Sequence, residues 1–224
     1  MDQQDQVIEM ISQQGMLPLF YDDDAETCLK ITRALYSAGI RIIEFTNRGR
    51  NAWKNFKSIR SERDSSMKDL LLAVGTIRSA DQASRFVDDG ADFLVSPVFD
   101  AAVCDVAYLN KLLWIPGCMT PTEIHVAEQA GCKLIKIFPG NVLGPQFINS
   151  VREIFPGLSF IPTGGVELKE DNISAWLNAG ACAVGIGSSL IGKSVTEGKE
   201  MEQLINETKN LLGIIAAIRS ADKK

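Results

Sequence analysis

The chain has 224 residues, of which 46% are hydrophobic and 23% charged, and it carries a net charge of −5. This composition is typical of one soluble globular domain, and the acidic balance without a Lys/Arg run argues against a nucleic-acid partner. The first residues are polar rather than signal-like, and the apolar tract 211–218 is too short to span a bilayer, so we expect a cytoplasmic protein with no membrane partner.

Short apolar runs alternate with amphipathic segments along the chain, and several of these segments end at a glycine, as at Gly131, which predicts a helix stop there. Strand and helix recur roughly every 20 to 30 residues, which predicts a parallel α/β sheet and favours a (β/α)8 TIM barrel. A doubly wound open sheet is the main alternative, although three aspartates, Asp22–Asp24, follow the first strand instead of a glycine-rich turn. The eight predicted strands are Met16–Phe20, Ile42–Phe45, Leu70–Val74, Asp92–Val95, Leu112–Ile115, Leu134–Phe138, Leu158–Ile161 and Cys182–Ile186.

We expect a single domain over residues 1–224, with an N-terminal helix in 1–15, the barrel core in 16–190 and a C-terminal helical segment in 191–224. The apolar tail Met201–Ile218 is expected to pack on the bottom of the barrel or on a neighbouring subunit. Five dispersed cysteines indicate reduced thiols. The single histidine, His125, lies in a predicted helix, and neither a metal nor another cofactor is expected.

A lysine interrupts the apolar run of the sixth predicted strand. Side chains alternate along a strand, so Leu134, Lys136 and Phe138 share one face, and both faces are otherwise apolar. A buried ammonium is costly, whereas a neutral lysine in a dry pocket is an amine nucleophile that can form a Schiff base with a ketone. The alternative is a lysine that extends to solvent at the strand end, as we expect for Lys133 at the strand entrance.

The second predicted strand carries a carboxylate among apolar groups. Ile42, Glu44 and Thr46 share a face, and Arg48 lies just beyond the strand. Active sites of (β/α)8 barrels lie at the carboxyl ends of the strands, so we expect Glu44 and Lys136 at matching depths in one site. A structural Glu44, satisfied by a backbone donor or by Lys136, is the alternative.

Small residues follow the last two predicted strands. Gly164–Gly165 come after the seventh strand and Gly187–Ser188 after the eighth. Such loops let backbone N–H groups and a helix N-terminus point at an anion, and in barrels this pair of loops is the recurrent phosphate site. Tight turns without a ligand are the alternative.

The residues at the strand ends resemble, in order, the motifs of the KDPG/KHG aldolase family. The resemblance extends from Leu17 to about Leu190, and this family consists of class I, pyruvate-forming aldolases of the Entner–Doudoroff and hexuronate pathways. It implies an aldehyde-lyase that forms a homotrimer. The matching segments are Glu44–Arg48, Gly75–Thr76, Pro116–Glu123, Lys136–Pro139 and Pro162–Gly165.

The resemblance also implies roles for individual residues. Lys136 would form the Schiff base, Glu44 would be the general acid/base, and Arg48 with Thr76 would hold the pyruvate carboxylate. Gly164, Gly165 and Ser188 would bind phosphate. The predicted substrate-binding set is completed by residues of the strand ends, namely Pro97, Phe138, Thr163 and Gly187.

Three departures from the family pattern concern the sugar-binding region, and one is the loop after Arg48, which reads Gly49–Arg50–Asn51. Val98 replaces a glycine and Gly140 an alanine, while every catalytic group is retained. We expect cleavage of 2-keto-3-deoxy-6-phosphogluconate to pyruvate and glyceraldehyde 3-phosphate. The alternatives are its galactonate epimer or unphosphorylated 4-hydroxy-2-oxoglutarate as substrate, a phosphate-binding barrel isomerase or synthase without a covalent intermediate, and a non-catalytic binding scaffold.

Overall fold

The computed structural model describes residues 2–192 and 200–221. Its strands are β1 (Met16–Phe20), β2 (Ile42–Thr46), β3 (Leu71–Gly75), β4 (Phe93–Val95), β5 (Leu113–Ile115), β6 (Gly117–Cys118), β7 (Leu134–Ile137), β8 (Ser159–Pro162) and β9 (Val184–Ile186). Its helices are α1 (Gln3–Gln14), α2 (Ala25–Ser37), α3 (Ala52–Ser66), α4 (Ala80–Asp88), α5 (Ala101–Leu109), α6 (Pro121–Gln129), α7 (Gly140–Leu143), α8 (Pro145–Arg152), α9 (Glu170–Asn178) and α10 (Glu200–Ala221).

All paired strands are parallel, and they form two hydrogen-bonded sheets. One sheet has the order β5-β4-β3-β2-β1-β9 and the other β6-β7-β8. Pro116 separates β5 from β6, and a single bridge between Thr163 and Gly185 joins β8 to β9. A proline has no N–H to give to a ladder, which explains why the predicted fifth strand continues as a separate two-residue β6. The parallel α/β sheet is confirmed, whereas a fully closed eight-stranded barrel stays a prediction.

The strands enclose one apolar interior and carry helices on their outer side. Side chains from seven of the strands and from Ala183, just before β9, meet in the interior cluster, and Val7 and Ile11 of α1 close it at the amino ends of the strands. A larger cluster lies between the strands and the outer helices. The interior residues in or next to the strands are Leu17, Ile42, Ala73, Phe93, Val95, Leu113, Ile115, Leu134, Ile161 and Ala183.

The helices begin and end where local chemistry favours it. Thr120 caps α6 in a capping box with Glu123, and Pro121 occupies the first helical turn. Gly131, just beyond α6, has φ 85°, a conformation in which glycine avoids the steric cost of a side chain. The glycine stop that the sequence predicts here is therefore confirmed.

The C-terminal helix packs on its own chain. α10 contacts α2 and α9 in the outer helical layer, and its last turns reach Gly15 at the amino ends of the strands, the side on which the sequence placed it as one of two alternatives. Arg219 fastens its end by donating to the backbone oxygens of Gln13 and Cys182. Parts of the expected C-terminal segment, residues 193–199 and 222–224, lie outside the described residues. Among the helices that the structure describes, none combines the length and apolar character needed to cross a membrane.

Candidate active site

Lys136 and Glu44 meet inside the strand layer. The alternation along β7 directs Leu134 into the interior cluster and Ile135 outward, and Lys136 therefore faces the interior. Its Nζ atom lies 3.7 Å from Glu44 Oε1, with side-chain exposures of 7% and 2%. Lys133, by contrast, is exposed and forms an ion pair with Asp5. The sequence prediction that these two lysines point to different environments is confirmed.

The Glu44 carboxylate is buried but incompletely bonded. Oε1 accepts no hydrogen bond from any residue within 2–192 and 200–221. Buried polar atoms are nearly always hydrogen-bonded in proteins, and an exception is a sign of a functional group or of an absent ligand. Lys136 also has an aromatic neighbour, since its Nζ atom lies 5.5 Å from the centroid of the Phe138 ring. The pair therefore has unused capacity to exchange a proton with a third group.

The space for the Glu44 carboxylate exists because its neighbour on β3 has no side chain. Glu44 is in register with Ala73, and Gly75 lies two residues further along β3 on the same face. A Cβ atom at Gly75 would overlap Glu44 Oε1. Gly75 is thus a component of the site that the sequence analysis treated only as part of a Gly–Thr turn.

A cleft of about 530 Å³ opens above the lysine–glutamate pair at the carboxyl ends of the strands. Thr46 lies two residues beyond Glu44, and Phe138 lies two residues beyond Lys136, so each shares a face with the ionisable residue beneath it. Both line the cleft. The complete lining is Leu19, Phe20, Tyr21, Thr46, Arg48, Phe138, Thr163, Gly164, Gly165, Val166, Gly185, Gly187, Ser188, Ser189 and Ile191.

Nine of the eleven predicted site residues lie in or directly beneath this cleft. Lys136 and Glu44 lie beneath it, and seven line it: Arg48, Phe138, Thr163, Gly164, Gly165, Gly187 and Ser188. Thr76 and Pro97 lie outside the lining, because they follow β3 and β4 on a more distant part of the rim. Thr76 has φ 62°, which is unusual for a β-branched residue and is the kind of strain that proteins concentrate at functional sites.

The two glycine-containing loops lie side by side. Ser189 Oγ donates to the backbone oxygen of Val166 over 3.0 Å, which ties the loop after β9 to the loop after β8. Gly164 and Gly165 have φ 90° and 73°. α9 begins only at Glu170, because an irregular segment follows the glycines.

The structure gives a reason for one departure from the family pattern. Gly140 is buried, its N–H donates to the backbone oxygen of Thr163, and a Cβ there would lie 2.5 Å from the Gly164 oxygen. The glycine at 140 therefore lets α7 approach the loop after β8. The second departure, Val98, has an exposed side chain.

Two groups that the sequence analysis set aside remain peripheral to the site. His125 is exposed on α6, 3.9 Å from the Glu128 carboxylate. Burial raises the pKa of the Cys118 and Cys132 thiols to about 12, so both stay protonated and are poor nucleophiles at neutral pH. Across the part of the chain that the structure describes, no group of three His, Cys, Asp or Glu side chains is placed to hold a metal ion.

Sequence reasoning missed two further residues of the site. Tyr21, in the cleft wall, follows β1 and was considered only as part of an acidic turn. Asn141 lies against the glycine pair, where a Cβ on Gly165 would come within 2.7 Å of its Cα. Neither position stands out in the sequence, since each contributes through contact with a loop that is distant along the chain.

The comparisons with known proteins agree with this arrangement. The family model for KDPG and KHG aldolase matches residues 7–206. A probable 2-dehydro-3-deoxy-6-phosphogalactonate aldolase of Rhizobium meliloti is 32% identical over 78% of this chain and 81% of its own. A 2-dehydro-3-deoxy-phosphogluconate aldolase of Treponema pallidum is 27% identical over 93% of this chain and 99% of its own.

A solved structure shares the fold. The KDPG aldolase of Legionella pneumophila superposes with a TM-score of 0.83 at 21% identity, covering 91% of this chain and 97% of that one. The family match spans both strands that carry Lys136 and Glu44, and the loops of the cleft. The chain belongs to the KDPG and KHG aldolase family.

Proposed function

We propose that this member of the family is a class I aldolase that cleaves 2-keto-3-deoxy-6-phosphogluconate to pyruvate and glyceraldehyde 3-phosphate. The observation that carries the proposal is the buried pair of Lys136 Nζ and Glu44 Oε1, 3.7 Å apart beneath the cleft. An amine next to a carboxylate in an apolar interior is the arrangement that Schiff-base chemistry needs. The crystallised Legionella pneumophila aldolase held pyruvate as a covalent carbinolamine.

The proposed reaction begins with attack of the Lys136 amine on the C2 ketone. Attack requires a neutral amine, and Glu44 is close enough to take the ammonium proton. Glu44 returns this proton to the carbinolamine hydroxyl, which leaves as water and gives an iminium. Glu44 is then a carboxylate again, and the iminium withdraws the electron pair as the C3–C4 bond breaks. Glu44 accepts the C4 hydroxyl proton, so that an aldehyde leaves and an enamine remains on Lys136.

The second half returns the enzyme to its starting state. Glu44 delivers a proton to C3 of the enamine, which becomes the iminium of pyruvate. Water then hydrolyses this iminium, which releases pyruvate and leaves Lys136 as the ammonium beside the Glu44 carboxylate. The iminium supplies the electron sink, so the proposed steps use only the side chains of this chain.

The two ends of the cleft support a substrate with two anionic groups. Arg48 lies on one wall, and the glycine loops with Ser188 lie on another. We assign the substrate carboxylate to Arg48 with Thr76, and the phosphate to the backbone of the two loops. Pro97 completes the proposed site on the rim.

We further propose a closed (β/α)8 barrel, a cytoplasmic location and a homotrimer for this protein.

The galactonate epimer is a second candidate substrate. The relatives include both a phosphogluconate and a probable phosphogalactonate aldolase at similar identity, and the two substrates differ only in configuration. Comparison of kcat/KM for both compounds and for 4-hydroxy-2-oxoglutarate would decide between them. A preference for the unphosphorylated compound would contradict the assignment of the loops to phosphate.

Borohydride trapping tests the covalent mechanism directly. Reduction in the presence of pyruvate should add one pyruvate-derived group to the wild-type mass, because borohydride fixes the iminium. Lys136→Ala should lose both the adduct and turnover, whereas Lys133→Ala, which changes an exposed lysine just before the same strand, should keep both. An adduct that persists in Lys136→Ala would assign the Schiff base elsewhere. A wild type that cleaves the substrate without forming any adduct would favour an enzyme without a covalent intermediate.

A further inference from the structure

Tyr21 connects two loops at the rim of the cleft. It follows β1, and its ring packs against Phe45 of β2 with the centroids 5.8 Å apart. Its hydroxyl donates to the Asp23 carboxylate. The three atoms nearest to a Cβ built at Gly49 all belong to the phenol end of Tyr21, so the phenol lies directly against the Gly49 backbone. Tyr21 thereby supports the residue that follows Arg48.

The loop that carries Tyr21 is itself firmly attached. Asn55 is fully buried in α3, and its amide donates to the backbone oxygens of Asp22 and Asp23, each over 3.0 Å. Asn51 adds a hydrogen bond to the Asp23 oxygen. Because the buried Asn55 amide holds the backbone of Asp23, the Asp23 carboxylate is a fixed acceptor for the Tyr21 hydroxyl.

Arg48 has no comparable support of its own. Its side chain is exposed at the cleft, and no residue within 2–192 and 200–221 forms a hydrogen bond or an ion pair with its guanidinium. An arginine side chain has many rotamers, and ordering it on binding costs free energy. The direction of Arg48 is therefore determined by the backbone of its loop, against which Tyr21 packs.

We infer that Tyr21 is a positioning residue, which holds the Arg48–Gly49 backbone so that the guanidinium points into the cleft at the substrate's carboxylate. The inference rests on the proposed aldolase function and on Arg48 as an anion-binding group. Burial and the Asp23 carboxylate raise the pKa of Tyr21 to about 12, so the phenol remains a hydrogen-bond donor throughout the neutral pH range. The contact also requires glycine at position 49, because a side chain there would displace the phenol.

A double-mutant cycle tests the inference. Cleavage of 2-keto-3-deoxy-6-phosphogluconate is followed by pyruvate release for the wild type, Tyr21→Phe, Arg48→Ala and the double variant. Tyr21→Phe keeps the ring contact with Phe45 but loses the hydrogen bond, and should raise KM roughly tenfold with kcat little changed. In the Arg48→Ala background the same change should have no further effect, because Tyr21 acts through Arg48.

The control is a second tyrosine–aspartate pair. Tyr36 donates to Asp69 on the outer surface, so Tyr36→Phe removes the same kind of hydrogen bond far from the cleft and should leave KM unchanged. Gly49→Ala should raise KM as Tyr21→Phe does, since its Cβ displaces the phenol. Thermal unfolding of each variant shows whether the fold survives, and Tyr21→Phe provides the test if Gly49→Ala does not fold.

The outcomes separate this inference from the proposed function. A wild type that cleaves the substrate and traps pyruvate, together with an unchanged KM in Tyr21→Phe, would overturn the positioning role alone. A Tyr21→Phe effect that multiplies with that of Arg48→Ala would also overturn it, because the two residues would then act independently. A wild type with neither cleavage nor trapping would overturn the aldolase mechanism and the inference with it.

Discussion

Glu44 is the residue whose surroundings most constrain the chemistry. It is buried beside Lys136, and the missing side chain of Gly75 makes room for its carboxylate. A buried charge next to an opposite charge can be purely structural, and removing one partner of such a pair usually costs stability. Oε1 accepts no hydrogen bond from the described residues, which favours the proposed acid/base role, since an acceptor without a donor can bind a proton from the substrate.

Glu44→Gln should separate these two roles. The change preserves the shape of the side chain and removes the base, so exchange of the pyruvate methyl protons with solvent should slow roughly 10²–10⁴-fold. Proton NMR in D₂O measures this exchange directly. Glu62→Gln, which alters a surface carboxylate paired with Arg33, should exchange at the wild-type rate. Near wild-type exchange in Glu44→Gln would show that the carboxylate is structural.

The direction of a single side chain can be predicted well from the sequence where it follows from the alternation along a strand. Lys136 and Glu44 each lie among apolar neighbours on a face that the alternation defines, and the structure directs both inward as predicted. The contacts of Gly75 with Glu44 and of Gly49 with Tyr21 were not predicted. They join residues of different strands or loops, and a glycine gives no signal of which side chain occupies the space beside it.

At the scale of elements, the proposed phosphate site depends on the shape of the paired loops after β8 and β9. Gly165 has φ 73°, and a Cβ there would lie 2.7 Å from the Asn141 Cα, so the loop tolerates no side chain at this position without moving. Backbone N–H groups in such a loop can approach a phosphate closely only while the loop keeps its shape. The loops therefore bear on substrate choice more than on the chemistry of the pair beneath them.

Gly165→Val should affect phosphorylated and unphosphorylated substrates differently. We expect KM for 2-keto-3-deoxy-6-phosphogluconate to rise by one to two orders of magnitude, roughly the effect of misplacing a binding group by about 1 Å. Cleavage of 4-hydroxy-2-oxoglutarate should change much less, because this compound lacks the phosphate. Steady-state kinetics on both substrates checks the contrast.

A glycine elsewhere serves as the control for strain. Gly157 lies in an exposed turn where an added Cβ meets no atom within 4 Å, so Gly157→Val should leave both substrates unaffected. Thermal unfolding of both variants shows whether the fold is intact. Equal losses on the two substrates in a folded Gly165→Val protein would identify the loops as plain turns.

Element types were more predictable than element ends. The sequence predicts the strands and the glycine stops after helices because their signals are local, as at Gly131. It gives no comparable local signal for the irregular segment between Gly164–Gly165 and the start of α9 at Glu170. The irregular segment between them is held by tertiary contacts such as that of Asn172, whose amide donates to the Gly165 oxygen and whose Oδ1 accepts from the Glu167 N–H. A sequence pattern carries no information on such contacts.

In the molecule as a whole, the cleft and the contacts that stabilise the fold lie at opposite ends of the strands. The cleft lies at the carboxyl ends of the strands. α1 covers their amino ends, where side chains serve mainly to stabilise the fold. Gln14 is central there. Its amide donates to the backbone oxygens of Met16 and Ile42 and accepts from the N–H groups of Arg41 and Ile42, joining α1 to β1 and β2.

Gln14→Ala should lower the free energy of unfolding by about 2–3 kcal/mol, because it leaves strand-end backbone groups without partners. kcat and KM of the folded variant should equal those of the wild type, since the change lies at the opposite end from the cleft. Urea denaturation and steady-state kinetics measure the two effects. Gln13→Ala, which removes a surface hydrogen bond to Glu9, should change neither. A Gln14→Ala variant with the wild-type free energy of unfolding would show that the hydrogen bonds of the Gln14 side chain are dispensable.

The pairing of β1 with β9 has a consequence for synthesis of the chain. Met16–Pro18 pair with Val184–Ile186, so the first strand has a partner on one side only until the last strand has been made. About 160 residues separate them, which a ribosome adds in roughly 10–30 s at usual speeds. During that interval the nascent chain exposes an apolar strand edge of the kind that pairs with other chains. The same late pairing that completes the sheet therefore makes incomplete chains of this aldolase the form most prone to aggregation and most in need of chaperones.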